Sequence, residues 1–207
     1  MKVRPKIITV FGSSRPREGD WQYSTAHALG SELAAKGFIV CSGGYGGVME
    51  AASRGAKEAG GETLGITASF FGSHPNGWID KEIRMKSWRD RLFELVKRGR
   101  GYVVCPGGTG TLAELAVVWE LLNKNVVRAR PLVVLGDFWQ PVINRVREVE
   151  RGHTSPWGEQ EKSLVHIAST PTEAAAYLVA YLAAARAAKG APSTRSRQLK
   201  APSTFSF

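Results

Sequence analysis

Metal-binding and cross-linking chemistry is thinly represented here: two cysteines and four histidines among 207 residues. Cys41 and Cys105 make neither a disulfide framework nor a metal-ligand spacing. His27, His74, His153 and His166 are scattered without an HExxH-type pairing, so no metal site is expected. Long apolar runs are missing too; none reaches the length of a bilayer-spanning helix, and no membrane role is expected. The opening MKVRPKIITVFGSS is charged and then apolar, like a signal peptide, but its apolar part is only Ile7 to Phe11 and leads into a glycine turn. It reads as a first strand, and the expected location is cytoplasmic. Acidic residues are outnumbered, 18 against 28 basic, for a formal net charge of +10. Half of that excess lies beyond residue 185, where Arg186, Lys189, Arg195, Arg197 and Lys200 have no acidic neighbour. With the charge in a tail and no helix-turn-helix, RRM or KH signature, a solvated tail is favoured over a nucleic-acid-binding face.

What is present is the composition of a folded protein, 43% apolar and 22% charged, with enough chain for a buried core. Residues 1–189 read as a single Rossmann-like domain. Residues 190–207, with Ala-Pro-Ser-Thr repeated at 191–194 and 201–204, read as a basic Ser/Pro-rich disordered tail. Short β-rich runs at 7–11, 38–41, 63–67, 102–105, 132–135 and 164–167 alternate with helical periodicity at 20–36, 48–59, 87–97, 112 onward, 138–149 and 172–188. Asp20 is the expected cap of the first helix and Gly37 its stop; residues 151–162 read as a polar loop. The stretch 68–80, ASFFGSHPNGWID, has exposed-looking aromatics among Gly, Pro and Asn and reads as a long loop, either a lid over a site or an irregular surface connection with buried Phe anchors. Such alternation predicts an α/β fold: a Rossmann-like, doubly wound, mainly parallel sheet of six or seven strands. In the order 3-2-1-4-5, Cys41 and Cys105 flank the first strand at roughly 10 Å, too far apart for a disulfide.

The stretch 102–122, YVVCPGGTGTLAELAVVWELL, is the most informative. A buried strand runs into Pro106 to Thr111, which holds Gly107, Gly108 and Gly110 with Thr109 and Thr111. A helix follows, with Leu112, Leu115, Ala116, Val118, Trp119 and Leu122 at apolar spacing. Unpaired N–H groups at the positive end of a helix suit a phosphate, and glycines let it approach the backbone. Glu114 lies one turn into that helix. A second glycine turn, Ser42-Gly43-Gly44-Tyr45-Gly46-Gly47, and the Gly12-Ser13-Ser14 turn after the first strand would project from the same carboxyl edge. Neither glycine cluster ends in the Lys-Ser/Thr of a Walker A loop. Gly108-x-Gly110-x-x-Ala113 matches the loose dinucleotide fingerprint, but on the fourth strand and without the usual acid about 20 residues on.

These residues resemble the LOG family, the cytokinin riboside 5'-monophosphate phosphoribohydrolases and their relatives. The likeness lies in PGGTGTLAE at 106–114 against PGGxGTxxE, in the GSS turn at 12–14, and in GGYGGVM at 43–49 against GGGxxGLM. Trp88-Arg89-Asp90-Arg91 stands where the family has MHxR, making Arg91 the arginine, with Arg89 a competing candidate. The resemblance implies hydrolysis of the N-glycosidic bond of a nucleoside 5'-monophosphate to free base and ribose 5-phosphate. It makes Arg91 and Glu114 the catalytic pair. The phosphate or nucleotide would lie on Gly12, Ser13, Ser14, Gly43, Gly44, Tyr45, Gly46, Gly47, Met49, Gly107, Gly108, Thr109, Gly110 and Thr111. It also implies a homodimer or higher homo-oligomer and no cofactor; no lysine stands where a pyridoxal Schiff base would need one. The stretch GVMEAA at 47–52 also resembles molybdenum cofactor carrier proteins, which implies the alternative of a carrier for a phosphorylated ligand without chemistry.

Overall fold

The computed structural model describes residues 6–72, 74–151 and 164–190. Seven strands form one sheet: β1 (Ile7–Phe11), β2 (Ile39–Ser42), β3 (Thr63–Ala68), β4 (Lys81–Met85), β5 (Gly101–Val104), β6 (Leu132–Leu135) and β7 (Val165–Ala168). Their order is β4-β3-β2-β1-β5-β6-β7, with every neighbouring pair parallel. The helices are α1 (Trp21–Ala35), α2 (Val48–Glu58), α3 (Trp88–Arg98), α4 (Thr109–Asn123), α5 (Gln140–Arg151) and α6 (Pro171–Gly190). The chain winds outward in both directions from β1, so strand order reverses between β1 and β5. The expected Rossmann-like architecture holds, and the sheet is parallel throughout.

Both faces of the sheet are covered. Ile8, Val10, Val40, Val103 and Val133 pack under α1, α2 and α6 with Leu29, Leu33, Ala52 and Leu178. Phe11, Cys41, Ile66, Tyr102, Val104 and Val134 pack on the other side with Leu92, Leu95, Leu115, Val118 and Ile143. Residues alternate between faces along each strand, as the period of two requires. Cys41 and Cys105 are both free and buried, and they belong to opposite layers. The sheet itself stands between them.

Three expectations change. Strand β4 is absent from the sequence reading, because KEIRM carries three charges in five residues and no apolar run. It is an edge strand with Lys81, Glu82 and Arg84 exposed, while Ile83 and Met85 pack toward the core; charge on an edge discourages further pairing. Helix α4 starts at Thr109 rather than Leu112, and Leu112 is exposed while Thr111 is buried. Asp20 precedes α1, but its side chain makes no cap; its Oδ2 accepts from the Arg17 N–H at 2.7 Å. In the loop after β3, where the sequence leaves two readings open, Phe70 and Phe71 are about half exposed, as the aromatics look in the sequence, and are not buried anchors. The expected loop beyond Arg151 and the expected tail beyond Gly190 lie outside the described residues.

Helices α1 and α2 touch backbone to backbone. A Cβ on Gly30 would lie 2.0 Å from the Ala52 carbonyl oxygen, and one on Gly55 would lie 1.9 Å from that of His27. Gly30→Ala and Gly55→Ala should each destabilise the fold by about 2 kcal/mol, overpacking outweighing the gain in helix propensity. Thermal unfolding should show a Tm lower by about 5 °C. Gly77→Ala, with nothing within 4 Å of the added carbon, is the control that should leave Tm unchanged.

Candidate functional site

Three strand-to-helix turns meet where the strand order reverses. The ladder between β1 and β5 ends with the Cys105 N–H donating to the Phe11 carbonyl at 2.8 Å. One residue pair further on, the Ser13 N–H donates to the Pro106 carbonyl at 3.3 Å, and the Ser13 carbonyl accepts from the Val48 N–H at 2.8 Å. The Ser13 backbone thus ties the first turn to the start of α2 and to the PGG turn. Close approach requires glycine at two of these points. A Cβ on Gly12 would lie 2.4 Å from Val48 Cγ1, and one on Gly47, where φ is +69°, would lie 2.4 Å from the Ser13 oxygen. The indole N–H of Trp139 donates to the Cys105 carbonyl at 3.0 Å and holds the PGG turn from below.

Helices α2 and α4 both begin at this edge, capped in position by Gly47 and Gly108, and neither has a side-chain cap. Their first N–H groups carry the positive end of the helix dipole and suit an anion. The three glycines of the PGG turn and the helix start differ in kind. Gly107 is packed, since a Cβ there would lie 2.2 Å from Thr111 Oγ1. Gly108 and Gly110 have nothing within 4 Å of that position. Open space therefore stands over Gly108, Thr109 and Gly110, all exposed, at the first turn of α4.

Arg91 enters from the side. Ser87 caps α3, its Oγ accepting from the Asp90 N–H at 3.0 Å. The far end is held by the Tyr102 hydroxyl and Arg130 Nη1, which donate to the Val96 carbonyl at 2.7 and 2.8 Å. So placed, Arg91 is buried, 7% exposed. Its Nε donates to the Ile66 carbonyl at 2.8 Å and its Nη2 to the Gly43 carbonyl at 3.2 Å, with Met49 Sδ 4.0 Å away. A Cβ on Gly43 would sit 1.8 Å from Nη2, so the glycine makes room for the cation. Arg89, in contrast, is exposed and lies 3.5 Å from the exposed Asp90.

Glu114 is half-buried on α4. Burial pushes its carboxyl up to about 7, and the Arg91 charge offsets only part of that rise. Desolvation lowers the Arg91 pKa, with the Glu114 charge acting in the opposite sense. The two sense one another without forming a direct ion pair among the described residues. A half-desolvated carboxyl within the field of a fixed cation, on the helix that the PGG turn opens, can stabilise positive charge or move a proton near neutral pH.

Several neighbours were not legible in the sequence. Asn76 pins the second glycine turn, its N–H donating to the Gly44 carbonyl at 2.8 Å and its Nδ2 to the Tyr45 carbonyl at 2.9 Å. Its Pro-Asn-Gly context signalled only a turn. The Tyr45 hydroxyl bridges Ala68, donating to its carbonyl at 3.1 Å and accepting from its N–H at 2.8 Å. Arg91 Cζ lies 5.5 Å from the Tyr45 ring centre and 5.7 Å from that of Phe71. Arg17 reaches the rim, donating to the Ser14 carbonyl at 3.3 Å. Ser14 itself is exposed and Gly46 half-buried. Among the described residues no group of three His, Cys, Asp or Glu could hold a metal ion, and no helix is long and apolar enough to cross a membrane.

Comparison with known proteins agrees with this geometry. The pyrimidine/purine nucleotide 5'-monophosphate nucleosidase of Escherichia coli K12 is 26% identical over 143 residues, 64% of this chain but 31% of that protein. A cytokinin riboside 5'-monophosphate phosphoribohydrolase of Arabidopsis thaliana is 30% identical over 135 residues, 59% of this chain and 56% of the relative. This chain therefore spans less than two thirds of either enzyme's length. Among solved structures, the molybdenum cofactor binding protein of the phototrophic bacterium Rippkaea orientalis superposes with a TM-score of 0.69 at 27% identity, over 86% of this chain and 98% of that one. A family model described as SLOG cluster4 matches residues 5–164, most of the folded part and all three glycine turns. The LOG-type resemblance of the PGGTGTLAE stretch thus extends along the sheet, and the chain belongs to the SLOG cluster4 family.

Proposed function

We propose that this protein hydrolyses the N-glycosidic bond of a nucleoside 5'-monophosphate, releasing free base and ribose 5-phosphate. The observation that carries this reading is Glu114: one carboxyl with a pKa raised to about 7, beside a buried arginine, at the edge where two helix starts are left uncapped. The 5'-phosphate would lie over Gly108, Thr109 and Gly110 with Ser13 and Ser14 opposite, its charge met by backbone N–H groups. Anchoring the phosphate positions the ribose. As the bond from C1' to the base nitrogen breaks, positive charge builds on the sugar and the Glu114 carboxylate stabilises it. Glu114 also takes a proton from the attacking water, whose oxygen bonds to C1' as the C1'–N electron pair leaves with the base; the departing nitrogen takes its proton from solvent, and Glu114 returns its own to solvent. Arg91 holds the carboxylate in register and keeps part of it ionised near neutral pH.

A second reading has one observation in its favour, the likeness to a molybdenum cofactor binding protein over 98% of that chain. On it, the same edge holds a phosphorylated pterin without turnover. On either reading we place a second copy of the chain against Trp88, Phe93 and Leu112, which are exposed on α3 and α4.

Incubation with a panel of nucleoside 5'-monophosphates should release free base; tight pterin binding with no base released from any of them favours the carrier. Glu114→Gln should lower kcat on the order of a thousand-fold while leaving monophosphate binding measurable. The rate should report the ionised carboxylate, so kcat/KM should climb as pH passes through about 7; an inflection near the ordinary carboxylate value would remove the assignment. The same shift acts on stability. A folded pKa raised from 4.5 to about 7 means the folded state binds the extra proton, so stability falls as pH rises between those values. Unfolding of the parent and of Glu114→Gln across that range should show the difference narrow to nothing at the acid end and widen, in favour of Gln, at the neutral end. Sedimentation equilibrium should give a dimer mass, and Phe93→Glu should reduce it to the monomer's.

A further inference from the structure

Two aromatic side chains stand at the site with no role in the reading above. Residues Ser69–Phe71 form a single 3-10 turn directly after β3, closed by Gly72 with φ at +64°. Phe70 is 50% and Phe71 47% exposed, unusual for large apolar rings on a short turn between two ordered strands. They are not loosely arranged. Their ring centres lie 4.3 Å apart, and Phe71 meets the Tyr45 ring edge-on at 5.4 Å and 86°. Tyr45 is itself fixed through its hydroxyl to both backbone groups of Ala68, the residue before the turn. Beneath this cluster lies Arg91, which packs against Tyr45 and Phe71 and couples electrostatically to Glu114. An exposed aromatic pair is thus attached, through the arginine, to the carboxyl that would face the anomeric carbon.

We propose that Phe70 and Phe71 form the platform on which the base of the bound nucleotide stacks, and that they favour two-ring purines over pyrimidines. This rests on the nucleotide reading of the site. A nucleotide held by its phosphate at the start of α4 and by its C1' at Glu114 must direct its base away from the phosphate loops. A flat base then needs an apolar face on one side, because its edges, not its faces, hydrogen-bond to water. Phe71 packs on Arg91 and Phe70 leans on Phe71 at 42°, so the outward ring surface of the pair supplies that face. Stacking on it covers apolar surface that otherwise faces water, and the larger purine covers more of it than a pyrimidine does. Tyr45 and the αL closure at Gly72 hold the rings in place before the base arrives, which limits the ordering cost of binding.

The test is calorimetric titration of the full chain in a Glu114→Gln background, which suppresses turnover, with adenosine 5'-monophosphate, cytidine 5'-monophosphate and ribose 5-phosphate. Phe70→Ala with Phe71→Ala should weaken adenosine monophosphate on the order of ten-fold. Cytidine monophosphate should weaken less, and ribose 5-phosphate, which has no base, should be unchanged. Phe71→Trp should retain affinity where Phe71→Leu loses it. Equal weakening of ribose 5-phosphate would show that the rings merely support Arg91 and would overturn the platform. So would unchanged adenosine monophosphate affinity, a parent that binds no nucleotide, or cytidine monophosphate weakening as much as adenosine monophosphate. Ring-dependent adenosine monophosphate binding in a chain that, unmutated, releases no base supports the platform and removes the hydrolase reading alone.

Discussion

The Ser13 peptide, donating to Pro106 and accepting from Val48, holds the site together. In a parallel sheet every strand delivers its chain to the same edge, but the turns that leave β1, β2 and β5 would diverge with the helices they feed. Ser13 links all three. Because Gly12 and Gly47 bring no Cβ into the gap, the start of α2 can close on the β1 turn, and the PGG turn can close on it from the other side. The starts of α2 and α4, neither with a side-chain cap, are thereby brought to the same edge, and the positive ends of both helices favour an anion there.

Charge inside that volume is managed by burial rather than by pairing. Arg91 gives up water for two backbone carbonyls, two aromatic rings and a methionine sulfur. Among the described residues no carboxylate pairs with it directly, so its field is left to act on Glu114. Desolvation nevertheless dominates at the glutamate, whose pKa moves upward despite the cation. The pair is therefore poised: a tight ion pair would hold the carboxyl ionised and inert as an acid, while a remote arginine would leave it protonated. The residues that fix this balance include Gly43, by its missing Cβ and its carbonyl on Nη2, and Tyr102 and Arg130, which anchor the end of α3 and so place Arg91 from a distance.

The sequence made the central strand–turn–helix plain because there period, composition and turn chemistry agree. PGGTGTLAE combines a β-rich run, a cluster of glycines and helical spacing within a single stretch, and the family resemblance rests on the same residues. Where those signals disagree, legibility fails. The edge strand β4 has the charge density of a loop, since only Ile83 and Met85 need to be apolar on a strand with one free edge. Thr109 to Thr111 count as turn by composition yet form the first turn of α4, because a helix start tolerates glycine when its N–H groups are meant to stay unpaired. The phenylalanines of ASFFGSHPNG look exposed from their Gly, Pro and Asn neighbours, yet buried anchors are an equal reading of the sequence, because exposure depends on where β3 ends relative to Tyr45.

By itself the sequence determined the alternating α/β order and the three glycine turns, because hydrophobic period and turn residues act over short spans; Arg91 and Glu114 entered as candidates through the family resemblance. Tertiary structure alone decided that Arg91 and not Arg89 turns inward, and that Gly43 exists to admit its guanidinium. It also decided that Gly108 and Gly110 border open space while Gly107 is packed, and that Glu114 titrates near neutrality. Each of these depends on atoms far apart in the chain, and steric fit and desolvation are properties of what surrounds a residue rather than of the residue itself.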